Sequence, residues 1–194
     1  MAAVRKTRDP ERKQRILDAA ADLLARNGFH SVSVADIGTE AGITGPGIYR
    51  HFDGKAAILV ALFDETIDEL HRQEREILDA TTELVEALGL LIAGQVEFVV
   101  GKRQVAQVYF NEIRNLPEED QIRLRRKQRL YLEEWVHLVG ELHPQLDDAA
   151  VRALVHAAIG AIQSTLFHNV GLAEDQLRAT LSRAARAVLG LATR

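Results

Sequence analysis

The 194-residue chain contains no cysteine. Disulfide scaffolds, thiol nucleophiles and cysteine-based metal sites are thereby excluded, and a reducing compartment is consistent, with the cytoplasm as the expected location. Aromatic residues make up only 5% and proline occurs four times, whereas alanine, leucine, arginine and glutamate abound. That balance favours helix over sheet and predicts an all-helical protein. No uninterrupted apolar run approaches the roughly 20 residues that a bilayer span needs. The opening MAAVRKTRDPERKQR is polar and basic where a secretory leader has an apolar centre, so neither targeting nor a membrane partner is expected. The seven histidines form no i, i+3 or i, i+4 pair and there is no HExxH, so neither metal nor cofactor is expected. Internal repeats and low-complexity segments are also missing.

What is present is enough apolar residue, 47%, for a real core, and an uneven charge. A net charge of -4 argues against a general polyanion binder. Residues 1–60, however, hold 9 Lys and Arg against 7 Asp and Glu, while residues 61–194 hold 15 against 21. The start is the most basic part, with Arg5, Lys6, Arg8, Arg12, Lys13 and Arg15. The asymmetry points to an N-terminal module that meets an anion, or to a solvated charged tail.

Ile16, Ala20, Leu23 and Leu24 form the stripe of a first amphipathic helix from Pro10 to Asn27, with Asp9 as cap and Gly28 as stop. Ser33 starts a short second helix, with Asp36 completing a capping box, and Val34, Ile37 and Ala41 facing inward until Gly42. After a tight turn Thr44 is placed to cap a third helix that buries Ile48 and Phe52. Helix, glycine turn and short helix make a helix-turn-helix. A long helix follows from Lys55 to about Leu78, with Leu59, Leu62, Phe63, Thr66 and Leu70 on one side. Further apolar stripes, punctuated by Pro117 and Pro144, bring the expected total to nine helices.

The passage GITGPGIYRHF, residues 42–52, carries the functional reading. A helix entrance has unpaired N–H groups and a positive dipole end, which attract phosphate. Thr44, Gly45, Pro46 and Gly47 leave that entrance nearly bare, so a DNA groove can come close. Tyr49, Arg50 and His51 then face outward, where they can donate to phosphate or, for arginine, to a guanine edge. Ser33 and Lys55 are placed to grip the sugar-phosphate backbone on either side. The arm with Arg5, Lys6 and Arg8 adds phosphate or minor-groove contacts, or is a tail with no specific role.

Residues 15–63 resemble the DNA-binding domain of the TetR family of bacterial repressors, through RILDAAADLLARNGF, SVADIGTEAGIT and GIYRHFDGKAAIL. Two positions depart from the usual pattern: Gly38, where alanine is common, predicts a looser second helix, and Pro46 lies inside the reading helix. The resemblance implies an all-α, nine-helix architecture with a DNA-binding domain over 1–54 and a ligand-binding and dimerisation domain over 55–194. It also implies a homodimer on a palindromic double-stranded DNA operator, released by a small-molecule effector. Two-fold pairing supplies contact that one short helix lacks. The expected dimer surface is the last two helices, at Val151, Leu154, Val155, Ala158, Ile159, Ile162 and Leu166, then Leu177, Leu181, Ala184 and Val188. Their small residues, such as Ala157 and Gly160, suit either an interface or packing within one subunit.

The middle helices are expected to hold the effector, with Gln95, Tyr109, Glu112, Tyr131, Trp135, Gln163 and Phe167 as candidates. Glu112 sits on an apolar stripe and must have a partner, whether a ligand, an arginine or the Tyr109 hydroxyl. A largely hydrophobic effector with one polar handle fits, an acyl thioester or a lipophilic drug among them. No enzyme is expected. The competing readings are a helical enzyme with Glu112 and His137 as an acid/base pair, and a helical scaffold dimer without DNA binding.

Overall fold

The computed structural model describes residues 10–191. Asp9 and the basic arm with Arg5, Lys6 and Arg8 lie outside the described residues. Nine α-helices and one 3-10 turn, with no strand, occur among the described residues. The first, α1, spans Pro10–Asn27 and buries Ile16, Leu17, Ala20 and Leu24. Gly28 ends it at φ 75°, a left-handed conformation that costs glycine little. Helix α2, Val34–Glu40, starts in the expected capping box, with the Ser33 hydroxyl accepting from Asp36 N and the Asp36 carboxylate accepting from Ser33 N. Gly38 does not loosen it. A β-carbon there would stand 2.8 Å from the Ile43 carbonyl oxygen and 3.1 Å from Ile48 Cδ1, so glycine is what lets the two short helices close on each other.

Helix α3 is only Gly45–Ile48, and the Thr44 side chain makes no capping bond. Glycine and proline have poor helix propensity, which explains the brevity. Tyr49, Arg50 and His51 continue the spiral as turns, held by His51 N and Phe52 N donating to the Ile48 carbonyl at 2.8 and 3.0 Å. Ile48 and Phe52 are buried as expected.

Helix α4, Lys55–Ala80, belongs to two hydrophobic clusters. Its first half, through Ile58, Leu59, Leu62 and Phe63, completes the core of α1 to α3, so that core does not stop at residue 54. The other helices are α5 (Leu84–Gly101), α6 (Arg103–Glu112), α7 (Glu118–Leu142), α8 (Asp148–Gln163) and α9 (Glu174–Val188). Val108 and Tyr109 of α6 join the first core too. Helix α5 is long and apolar enough to cross a membrane, at a mean hydropathy of 1.7 over 18 residues, and half of it is buried inside this bundle. It lies against α4, α7, α8 and α9 at the centre of the second core.

The stripe assigned to a subunit interface turns out to be that second core. Val151, Val155, Ala158, Ile159, Ile162, Leu166, Leu177 and Leu181 are buried within one chain, with Leu154 and Val188 packed against them. Ala184 is half-buried. Apolar periodicity marks a buried face without saying which surface buries it. The faces of α8 and α9 left outside carry small residues instead, Ala149, Ala153, Ala157, Gly160 and Ala187 among them.

Candidate DNA-binding surface and effector cavity

Because Ile48 and Phe52 point into the first core, the residues between them point out. Tyr49 is 60% exposed, a large aromatic surface left in solvent. Arg50 is exposed and has neither hydrogen bond nor ion pair among the described residues. His51 is half-buried beside them. At the entrance, Gly47 N and Ile48 N both donate to the Thr44 carbonyl, at 2.7 and 3.2 Å. With Pro46 lacking an N–H, the Gly45 N–H alone remains for an anion, and a helix of four residues has little dipole. Gly45 and Pro46 are open to approach, whereas Gly47 packs on its own turn, its β-carbon position lying 2.8 Å from Ile43 Cγ2. What this surface offers an anion is therefore the Tyr49 and Arg50 side chains more than peptide dipoles.

Two flanking residues have other tasks. The Ser33 hydroxyl is engaged with Asp36. Lys55 Nζ donates to the carbonyls of Phe29 and, at 2.5 Å, Val32, and sits 4.1 Å from the Phe29 ring centroid. Its ammonium ties the start of α4 to the α1–α2 loop rather than standing free for phosphate.

Glu112 is buried, and its partners within the chain are neither an arginine nor the Tyr109 hydroxyl. Its carboxylate accepts from Phe29 N at 3.1 Å and from Asn115 Nδ2 at 2.5 Å. It fastens the end of α6 to the loop after α1. His137 is exposed beside Glu141, so Glu112 and His137 form no pair.

Gln95, Tyr109, Tyr131 and Gln163 do converge, on an apolar cavity of about 40 Å³ between α4, α5, α6, α7 and α8. The Tyr109 hydroxyl donates to Gln128 at 3.0 Å and the Tyr131 hydroxyl to Gln95 at 3.2 Å. Burial pushes the Tyr109 hydroxyl up to about 12, against the opposing charge of Arg125, and burial raises Tyr131 as well, with Glu74 adding to it. Both hydroxyls are neutral donors at physiological pH. Trp135 is fully buried behind the cavity with its Nε1 unpartnered, and does not line it. Phe167 stays half-exposed, edge-on to Phe110, which does line it. Sequence reasoning missed Phe110, Gln128 and Thr66; Gln128 carried a usable signal, a neutral amide among the charges of α7.

Residues 16–62 match the family described as bacterial regulatory proteins, tetR family. The chain is 28% identical over 165 residues to the fatty acid metabolism regulator protein of Bacillus subtilis (strain 168), covering 79% of this chain and 82% of that one. It is 27% identical over 145 residues to the HTH-type transcriptional repressor KstR2 of Mycolicibacterium smegmatis, covering 70% of each. The solved structure of FadR from Bacillus subtilis in complex with stearoyl-CoA superposes with a TM-score of 0.72 over 89% of this chain and 96% of that one. At 23% identity that likeness shows the fold.

Proposed function

We propose that this chain, a member of the TetR family of bacterial regulatory proteins, represses transcription by binding an operator as a homodimer and releases it when a largely apolar effector fills the cavity beside α4. The observation that carries the DNA-binding part is the unpaired, exposed Tyr49–Arg50 pair, held outward by the buried Ile48 and Phe52. One arginine paired bidentately with a base edge is worth about 1–3 kcal/mol of base discrimination. The protein acts in the cytoplasm, on duplex DNA, without catalysis.

The effector part draws on the apolar cavity with its four polar residues, Gln95, Tyr109, Tyr131 and Gln163. A relative of the same fold is described in complex with stearoyl-CoA, which favours an acyl thioester over a lipophilic drug. At about 40 Å³ the cavity holds little more than a water, so an acyl chain must push α4 and α7 apart to enter. That differential binding is what biases α4, and with it the reading head.

The experiment is fluorescence anisotropy at fixed salt with an operator selected from random duplexes. Arg50→Ala and Tyr49→Ala should each weaken binding about ten-fold or more with an unchanged circular dichroism spectrum. Wild-type affinity in both variants would remove this surface from the operator contact.

A further inference from the structure

Helix α7 carries RLRRKQR, residues 123–129, the densest run of cations in an otherwise acidic body. Two of these are accounted for: Arg123 and Lys127 bond Asp64 of α4 at 2.7 and 2.8 Å. Arg125 and Arg129, one turn apart, face the other way, into a groove of about 400 Å³ between α7 and α8. Like charges at i, i+4 repel unless a negative charge lies beside them. Arg125 has only the neutral Gln121 amide, and Arg129, with no hydrogen bond or ion pair among the described residues, meets the Glu133 carboxylate one turn on only as a weaker charge interaction. Glu133, the one carboxylate lining the groove, is taken by Arg152 through two bonds of 2.7 and 2.8 Å. His156 lines the same wall.

The groove is not isolated. It shares Gln128, Leu132, Ile159 and Gln163 with the apolar cavity, which in turn shares Thr66, Leu70 and Phe98 with a pocket of about 190 Å³ between α4 and α5. A cationic mouth, a narrow apolar throat and the face of α4 thus adjoin one another through shared walls. We infer that the effector is an amphipathic anion whose head group is held at Arg125, Arg129 and His156 while its hydrocarbon tail enters the throat toward Thr66. This rests on reading the cavity as the effector site. The shared chemistry is a phosphate or carboxylate on an aliphatic chain; an acyl thioester of a phosphorylated nucleotide and a free fatty acid both satisfy it. An arginine guanidinium matches either group through parallel hydrogen bonds.

The test is calorimetric titration of the full chain with palmitoyl-CoA, palmitate and the uncharged hexadecanol. Wild type should bind the anions at least ten-fold tighter than the alcohol. Arg125→Ala/Arg129→Ala should lose about 10- to 100-fold for the anions and keep its hexadecanol affinity, and the exposed Arg129→Gln alone should lose part of it with the parent's melting curve. Loss confined to palmitoyl-CoA identifies the nucleotide phosphates as the head group, and equal loss for palmitate identifies the carboxylate. Wild-type affinity for both anions in the double variant, or a wild type that prefers the alcohol, overturns the head-group site and leaves the cavity reading standing. A wild type that binds none of the three while still holding operator overturns both.

Discussion

Single side chains decide more here than the apolar pattern suggests. Gly38 is the sharpest case, because the Ile43 carbonyl that a β-carbon would strike is backbone and cannot swing aside. Gly38→Ala would gain helix propensity in isolation, yet we expect it to lose about 1–3 kcal/mol in urea unfolding through overpacking. A gain would show that α2 and the turn yield easily. Glu74 is a second case. It is 2% exposed, its Oε1 has no partner, and burial, with Glu134 adding, pushes its carboxyl up to about 8 from an ordinary 4.5. His71 Nε2 lies 3.0 Å from the Lys127 carbonyl, which can only accept, so that nitrogen bears a hydrogen. The other ring nitrogen, Nδ1, lies 3.3 Å from Glu74 Oε2. Between pH 4.5 and about 8 the folded chain keeps a proton that the unfolded chain has lost, so this group favours folding less and less as pH rises. Glu74→Gln should therefore flatten the stability–pH curve across that window and raise Tm at pH 8. Parallel curves for parent and variant would contradict it.

At the scale of elements, caps and breakers were the legible part. Ser33 with Asp36, Gly28 and Gly42 each use local chemistry, so the bounds of α1 and α2 follow from a few neighbouring residues. What periodicity cannot give is the identity of the neighbour. Val155 and Ile162 read as a buried face and are one, but nothing in their spacing separates a chain's own α5 from a second copy's α8. Glu112 was legible as a buried carboxylate in need of a partner; Asn115, three residues on, was within local reach, but the Phe29 N–H lies 83 residues away, beyond any local pattern. Convergence of Gln95, Tyr109, Tyr131 and Gln163 was foreseeable only as polar residues on apolar stripes. The Glu112 link has its own consequence, because it joins the helix that carries Tyr109 to the loop that ends α1. Glu112→Ala leaves the Phe29 N–H without its acceptor, at a cost of about 1–3 kcal/mol. Faster hydrogen exchange at the Phe29 amide than at amides of α9 should accompany it, and unchanged protection there would mean that the link carries no load.

On the scale of the whole molecule, α4 lends its first half to one core and its second half to the other, and α6 and α7 also contribute to both, so the body and the head are packed into one another through three helices. The middle of α4 is clamped to α7 by Asp64, which accepts from Arg123 and Lys127, while Asp68 takes Lys127 at 2.7 Å. In the proposed release mechanism, wedging the throat open strains that clamp and swings the head. A swing regulates binding to two half-sites only if two heads are held at fixed spacing, so the proposed homodimer needs a face that the monomer leaves bare. On α8 the exposed line Ala149, Ala153, Ala157 and Gly160 meets this need, since small side chains let helix axes approach closely and a β-carbon at Gly160 would meet nothing within 4 Å. Ala157→Glu should then give a monomer in sedimentation at micromolar concentration, with the parent's helix content and a large loss of operator affinity. Ile162→Glu, aimed at the position that periodicity had suggested for the interface, should instead unfold the chain, because Ile162 is fully buried in the second core. If Ala157→Glu remains a dimer, the subunits meet elsewhere and the coupling from throat to operator must run through another face.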